Sequence, residues 1–509
     1  MATYLCPRSM RERFGGAIWS DARRSMQLRK HREGTEVNLR RDIAWQQIDA
    51  LHRSSIAYQY AAYGLGLRFE MLPPEVVHQA KRCLLDALGC AIGGHDSPGR
   101  PICEATVEEL GGVPECTVIG SGLRTNAANA NLVNCFQVRF LDFNDLSGGG
   151  HNSDSIPALL AIAEREKKGG RDLITSLVIS YELAERLNAG VNNWHGWQHD
   201  ARAGFVVPPA IGRMLGMTTD QIAHAIGTSV AGNSVMGILD APSEEKTMRK
   251  NFRFGWSSTA AIVSTLLARH GFTGPLRVFE GERGMNQILL RGEADLEAMV
   301  DFRGWRITNT RFKFLCSSIG LHSILQATLE LVREHDIKPE QVEGVLLKTS
   351  PSSHAIRATV PIKYPRNAET ADHSAYYLTA IAIVDREVDA DSILSEKFTD
   401  PVILDLIERI RVVAEPSIAE KPKVKFVSNV GFEGRSEITL KDGRVFKNTV
   451  MSPKGVWGGP TLTDRELEEK FAKMARKHLS EARIAELFAA IWNIEKLDDI
   501  GKLMRLAVF

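Results

Sequence analysis

Nowhere in these 509 residues is there a run of apolar side chains near the about 20 that a membrane-spanning helix needs. The longest apolar-leaning stretch, Ala375 to Val384, is interrupted by Thr379 and two tyrosines. An excess of either charge is also missing. Lys and Arg number 63 against 62 Asp and Glu, a net of +1, so no global field draws the chain to nucleic acid or to an anionic membrane. Cysteine is sparse: seven, at positions 6, 83, 90, 103, 116, 135 and 316, none spaced as in a zinc ribbon, a thioredoxin-like site or an iron–sulfur motif. Such cysteines read as reduced core fillers in a reducing compartment. No GxGxxG opens a helix after a strand, and there is no Walker A loop, GxSxG elbow or HExxH helix. Dinucleotide, nucleoside-triphosphate, serine-hydrolase and zinc-peptidase chemistries have no local signature here.

What is present is the composition of a soluble protein with a large core: 44% of residues are apolar and 25% charged. At about 150 residues per domain, the length suits about three units or two larger ones. The first 32 residues stand apart, with Arg8, Arg11, Arg13, Arg23, Arg24, Arg29, Lys30 and Arg32 against Glu12 and Asp21. An Arg-rich, acid-poor leader has the composition of an organelle transit peptide, and equally that of a plain basic extension. Residues 1–44 are expected to be disordered. The leader lacks the apolar core of a secretory signal, so the chain is assigned to the cytoplasm, with organelle import as the alternative.

From Trp45 to Arg303 the pattern is helical. Pro73-Pro74 precede an amphipathic run that stops at Gly93-Gly94, and Pro157 sits in the first turn of an apolar run from Ile156 to Lys168. Thr218 with Gln221 forms a capping box, and a further helix is predicted from Trp256 to Gly271. After Trp305 the texture changes. Val342–Ser350, Ile410–Ala414 and Lys423–Val427 read as strands, with helices over Ile319–His335 and Ser374–Val384 between them. Glu437–Leu440 and Val445–Val450 form a hairpin, for which Asp442-Gly443 supplies a two-residue turn. Gly455–Pro460 reads as a linker, and Asp464–Lys477 returns to helix. The expected fold is mainly α. A large all-helical domain (45–305 plus 455–509) carries a smaller α+β lid domain (306–454), and clefts between two such bodies are favoured ligand sites.

Polar groups in otherwise apolar or glycine-rich settings mark the candidate chemistry. In Leu141–Ser155 (LDFNDLSGGGHNSDS), two acids and a glycine run precede His151, just ahead of a helix N-terminus where anions are favoured. The competing reading is an ordinary capped helix connection. His195 and His199 stand four apart, a spacing that suits two ligands of a metal, but no third ligand is evident, so no metal is assigned. Lys246, Arg249, Lys250 and Arg253 crowd a segment placed ahead of the Trp256 helix, where cations disfavour the helix and so serve something else, such as a small polycarboxylate. Arg311–Ser318 (RFKFLCSS) is a fourth cluster. In the fifth, Ala368–Leu378, His373 and Tyr377 are four apart and are predicted to share a helix face.

LDFND followed by glycines and H-x-S-D resembles the signature of the 2-methylcitrate dehydratase / cis-aconitate decarboxylase family (MmgE/PrpD). LLDALGCAIGG at 84–94, GFTGP at 271–275, FEG at 279–281 and RNAETADHSAYYLTAIAI agree in the same order, so the resemblance covers about residues 45–475. It implies a helical domain with an α/β lid, usually a homodimer, with no metal or organic cofactor. Carried over by position, Asp142 matches the first aspartate of LDFDD and His151 the histidine of HPG/HPS. His199 matches a later histidine, with His195 competing. Lys250 matches the lysine of K-x-L-H-x-G, Lys313 the lysine before the lid, and Tyr377 the tyrosine of H-S-x-x-Y.

The chemistry implied is formation or collapse of a carbanion beside a carboxylate. A histidine with pKa near working pH suits the proton transfer, and cations stabilise the charge that builds on the carboxylate. Asp142, His151, His199, Lys250 and Tyr377 are therefore assigned to catalysis, and Lys313, Arg253, Ser147 and His373 to substrate binding. Some positions depart from the family pattern: Leu146 replaces a hydroxyl residue, with Ser147 one place late, His151-Asn152-Ser153 replaces HPG/HPS, Arg253 stands where histidine is usual, and Cys316-Ser317 replaces a proline-containing stretch. The leading expectation is a hydro-lyase acting on a small 2-hydroxy di- or tricarboxylate. The alternatives are a cis-aconitate decarboxylase-like enzyme, a cofactor-independent epimerase or isomerase of a dicarboxylate, and a non-catalytic binding relative.

Overall fold

Proline and glycine punctuate the helices much as the sequence predicts. Pro74 opens Pro74–Gly93, where its missing N–H costs nothing, and Gly94 caps the other end. Pro157 sits in the first turn of Ile156–Arg165, and the Thr218/Gln221 capping box closes on the start of Thr219–Gly232. The computed structural model describes residues 16–148, 150–191, 193–233, 235–241, 244–418 and 433–509. The fold is mainly α, and among the described residues the strands form one four-stranded mixed sheet and one two-stranded pair, Cys116–Thr117 with Arg124–Thr125. No helix among the described residues is long and apolar enough to cross a membrane.

Gly16–Arg53 forms a unit of its own, a single helix whose described side chains are exposed apart from a half-buried His52. This differs, over residues 16–44, from the disordered extension expected over 1–44; residues 1–15 lie outside the described residues. No proline falls between Pro7 and Pro73, and Arg, Gln, Glu, Leu and Ala are strong helix formers, supplemented by the Glu36–Arg40 pair. Local propensity therefore writes a helix without any buried face.

Within Ile56–Phe509, one core gathers apolar side chains from the helices between Ile56 and Phe312 and from the C-terminal helices after Leu462. The helix Asp464–Ala475 lies very close to Pro74–Gly93, because a Cβ on Gly89 would fall 2.8 Å from the Phe471 ring. A second core spans residues 315–446 and also takes in Phe136, Phe140, Leu141 and Met474, so the small domain is built directly against the C-terminal end of the Ala127–Phe140 helix. Its sheet runs in the order Ile410–Ala414, Val342–Thr349, Gly434–Leu440, Val445–Val450. The first pair is parallel and the other two antiparallel. Helices His322–Glu334 and Ala375–Val384 pack with it.

Two sequence expectations change here. The hairpin turns through Lys441, Asp442 and Gly443 rather than two residues: Leu440 N donates to Arg444 O, and Gly443 takes φ +89°. A three-residue loop with glycine in the left-handed region matches the strand twist. The helix expected from Trp256 begins at Arg249, so Lys250 and Arg253 lie in its first turns rather than ahead of it. The strand expected over Lys423–Val427 lies outside the described residues.

Candidate active site

The Ala127–Phe140 helix ends in a turn that aims a carboxylate inward. Leu141 caps it, and Asp142 follows at φ +46°, in the left-handed position usually given to glycine. A non-glycine residue there costs about 1 kcal/mol or more, a form of strain that clusters at functional sites. Asp142 Oδ1 accepts from Arg139 Nη1 at 2.5 Å and from Lys313 Nζ at 2.8 Å, and it lies 3.3 Å from His151 Nε2. The Lys313 ammonium also donates to the Asp142 carbonyl at 2.5 Å and to Ser317 O at 3.0 Å. Burial would push the Asp142 carboxyl up, yet Arg139, Lys313 and Lys250 together hold it well below the usual range. Burial also lowers Lys313, to about 8, against the pull of Asp142.

His151 precedes the short turn Asn152–Ser155, and its Nδ1 lies 2.6 Å from Asp145 O. A carbonyl only accepts, so Nδ1 carries the hydrogen and Nε2 keeps its lone pair toward Asp142. Burial, reinforced by Arg139 and Lys313, holds the imidazole well below its ordinary pKa and hence neutral. The supporting ring is also polar. Asp145 accepts from Tyr181 Oη at 2.7 Å and from Ser153 Oγ at 2.5 Å, and Asn144 Nδ2 donates to Asp154 Oδ1 at 2.9 Å.

The α+β part supplies Asp372 and His373 to the facing half. Lys250, in the first turn of Arg249–Arg269, is ion-paired with Asp372, and Asp372 Oδ1 lies 2.5 Å from His373 Nδ1. Burial pushes Asp372 up to about 6, opposed by Lys250 and reinforced by Asp142. His373 is held well below the ordinary histidine value, first by burial and then by Lys246 and Lys250. Arg357, donating to Ser318 Oγ at 2.7 Å, also bears on His373. Ligand atoms of Asp142, Asp372 and His373 all lie within 4.8 Å of one another, the spacing a metal ion would need. Lys250, Lys313 and Arg139 already donate to those carboxylates and would repel a divalent cation, so this donor set fits an anion better than a metal.

A neighbouring set holds other predicted residues. Arg253 Nε lies 3.1 Å from Asp200 Oδ2, and Arg202 donates to His151 O at 2.8 Å. His199 is partly exposed and packs on Gly150, where a Cβ would fall 2.4 Å from its Nε2 and the backbone takes φ +130°. Ser147 Oγ donates to Gly150 O at 2.9 Å, and Glu185 accepts from Gly148 N and Asn152 Nδ2.

Two family models match in tandem, the MmgE/PrpD N-terminal domain over residues 58–297 and the MmgE/PrpD C-terminal domain over 316–494. The chain belongs to the MmgE/PrpD family. A cis-aconitate decarboxylase-like protein, oryM, of Aspergillus oryzae is 24% identical over 463 residues, 86% of this chain and 93% of that protein. The human cis-aconitate decarboxylase is 23% identical over 476 residues, 89% and 94% of the two chains. A mitochondrial 2-methylcitrate dehydratase of Yarrowia lipolytica is 23% identical over 449 residues, 81% and 82%.

In this MmgE/PrpD chain, Asp142, His151 and Lys250 fall in the first matched region and His373 in the second, while Lys313 lies on the connection between them. The structure brings these five together and leaves Tyr377 out. His373 precedes the helix Ala375–Val384 rather than belonging to it, so the four-residue spacing does not put both on one face. The Tyr377 hydroxyl instead donates to Ser392 O at 3.0 Å and its ring packs on Phe398. His195 is likewise turned elsewhere, 2.9 Å from Glu293, and residues 193–198 are not helical, so the metal-ligand spacing considered for His195 and His199 has no helical basis. Leu146 is buried against Val456, its backbone bridged to Arg311 by hydrogen bonds of 2.7 and 2.8 Å. Sequence reasoning missed Arg139 and Asp372. An arginine in the apolar run CFQVRF, three residues before Asp142, was a usable signal for the first, and adjacency to His373 for the second.

Proposed function

We propose that this chain is a lyase of small polycarboxylates, working through a carbanion stabilised by an adjacent carboxylate. One observation carries the reading: buried cations crowd a neutral histidine. Arg139, Lys313 and Lys250 bear on Asp142, Lys246, Lys250 and Arg357 bear on His373 beside Asp372, and burial pushes the Glu369 carboxyl up. An anion with two or three carboxylates balances that field. Lys250 clamps a carboxylate, Lys313 adds its charge from its seat on Asp142 and Ser317, the Asp145 carbonyl orients His151, and His151 Nε2 takes the proton next to the clamped carboxylate, with Asp142 at 3.3 Å to stabilise the imidazolium that forms. The electron pair left behind spreads into that carboxylate, and in dehydration it expels the neighbouring hydroxyl, which leaves as water with the proton returned from the His151 imidazolium. His199, Arg253, Ser147 and His373 bind the remainder of the substrate.

Dehydration of a 2-hydroxy acid is the leading form. Decarboxylation is the second, favoured by the names of the Aspergillus oryzae and human relatives. Proton NMR in heavy water with 2-methylcitrate, citrate and cis-aconitate separates them. A new alkene from a hydroxy acid supports dehydration, an alkene product with loss of carbon dioxide supports decarboxylation, and deuterium exchange alone means epimerisation. Silence across the panel overturns the reading.

The Lys313 ammonium is present below about pH 8 and lost above it. Its attraction for the anion should fade accordingly, so KM is expected to rise about tenfold between pH 7.5 and 9.5, while this group's contribution to stability grows over the same range because the unfolded chain keeps that proton to about 10.5. A flat KM over that range would remove Lys313 from substrate binding.

The chain is further proposed to act as a homodimer in a reducing compartment, the cytoplasm or an organelle. Trp256, Val263 and Leu267 lie exposed along one side of Arg249–Arg269 at spacings of seven and four, beside an apolar cleft of about 260 Å³ lined by Ile102, Leu132, Met248 and Phe252. Trp256→Glu with Leu267→Glu is expected to halve the mass seen by light scattering. An unchanged mass places any dimer contact elsewhere.

A further inference from the structure

The Lys470 ammonium makes three hydrogen bonds, as many as it has N–H groups: to Asp86 Oδ1 at 2.7 Å, to Phe143 O at 2.6 Å and to Lys313 O at 3.2 Å. It also sits 3.9 Å from the centre of the Phe143 ring. Phe143 follows Asp142 in the chain, and Lys313 is the residue whose ammonium meets the Asp142 carboxylate. One cation on a C-terminal helix therefore holds the backbone of Lys313 and of the residue that follows Asp142, although the two ion-pair partners lie 171 residues apart. Asp86, buried on Pro74–Gly93, anchors the cation from below. Burial pushes its carboxyl up, while Lys470 and the Asp145 N–H oppose that.

We propose that Lys470, anchored by Asp86, is a positioning residue that sets the separation of Asp142 and Lys313. This rests on the reading of that pair as active-site residues. An ammonium is suited to the task because carbonyl oxygens from two separate segments converge on one point, where each needs a donor and neither can supply one. The close approach of the two helices at Gly89 and Phe471 leaves the cation little freedom to drift. Its hydrogen bonds go to Asp86, Phe143 O and Lys313 O and to none of the Asp142, His151 or Lys250 side chains, so Lys470 acts through Phe143 and Lys313.

The test separates this role from that of a plain structural ion pair. Lys470→Met leaves Asp86 buried without its cation and is expected to lower both Tm and turnover. Lys470→Met combined with Asp86→Asn removes the orphaned charge, so Tm should recover most of the loss. Turnover of whichever panel substrate the wild type accepts should stay at least about tenfold down, chiefly in kcat, because the two carbonyls still lack their common donor. Lys470→Arg, with room in the adjoining cleft of about 270 Å³, should regain a large part of kcat. If turnover returns in step with Tm in the double variant, Lys470 is structural only and the proposal falls. Hydrogen exchange keeps the positioning role testable if the wild type turns over no panel substrate, an outcome that by itself would sink only the functional reading. In the double variant, amides of residues 141–147 and 310–317 should exchange about fivefold faster or more, with the rest of the fold unchanged. Unaltered exchange in those two segments overturns the positioning role whatever the activity.

Discussion

His151→Ala is expected to lower kcat by about 10²- to 10⁴-fold while leaving a folded protein, the range that loss of a general base produces. The imidazole is neutral because burial beside Arg139 and Lys313 disfavours its charged form, and its Nδ1–H is committed to Asp145 O. Only Nε2 is available to take a proton. The stability cost should be modest, because Asp142 keeps Arg139 and Lys313 as donors when the ring is gone. His199→Ala is the internal control. That ring is partly exposed and lies against Gly150, outside the Asp142 contacts, so its loss should act mainly on KM. Steady-state kinetics on both variants, with circular dichroism to confirm folding, decide the matter. Full turnover from a folded His151→Ala protein excludes His151 as the base, and a larger kcat loss in His199→Ala transfers the role.

Lys250→Met is expected to cost about 10²- to 10³-fold in kcat/KM, the size seen when one preorganised donor is taken from a developing anion. Here a second effect enters, since Asp372 is left in the interior without its cation. Removing one partner of a buried pair typically costs about 3–5 kcal/mol, so Tm should fall clearly. Asp372 already stands near 6, and without Lys250 it rises further and takes up a proton near neutral pH. Lys250→Met with Asp372→Asn should recover the stability and not the activity. A double variant that regains both would make the pair a structural device and leave the carboxylate clamp to Lys313.

The existence of the helices was legible in proline, glycine and capping chemistry near their ends, as at Pro74, Pro157 and Thr218, because those signals act within a turn or two of the residues that carry them. Helix starts were less secure. Arg249–Arg269 begins seven residues before the apolar pattern does, since its first turns face a polar site and carry Lys250 and Arg253 in place of leucines. Tyr377 shows the opposite failure. Its spacing from His373 suggested a shared face, but Ser374 caps the helix between them and sends the two side chains to different surroundings.

By itself, the sequence determined the mainly helical fold and the family, and it singled out five residues that the fold brings together: Asp142, His151, Lys250, Lys313 and His373. Each sits in a local motif whose chemistry survives any packing. Tertiary structure alone decided what surrounds them. Lys313 meets Asp142 across 171 residues, Asp372 meets Lys250 across 122, and Lys470 reaches the carbonyls of Phe143 and Lys313 from a helix near the C-terminus. Hydrogen bonds to backbone carbonyls carry no side-chain signature, and pKa values set by burial depend on neighbours that are remote in sequence. That is why the charge balance of the site is a property of the folded chain and not of any local motif.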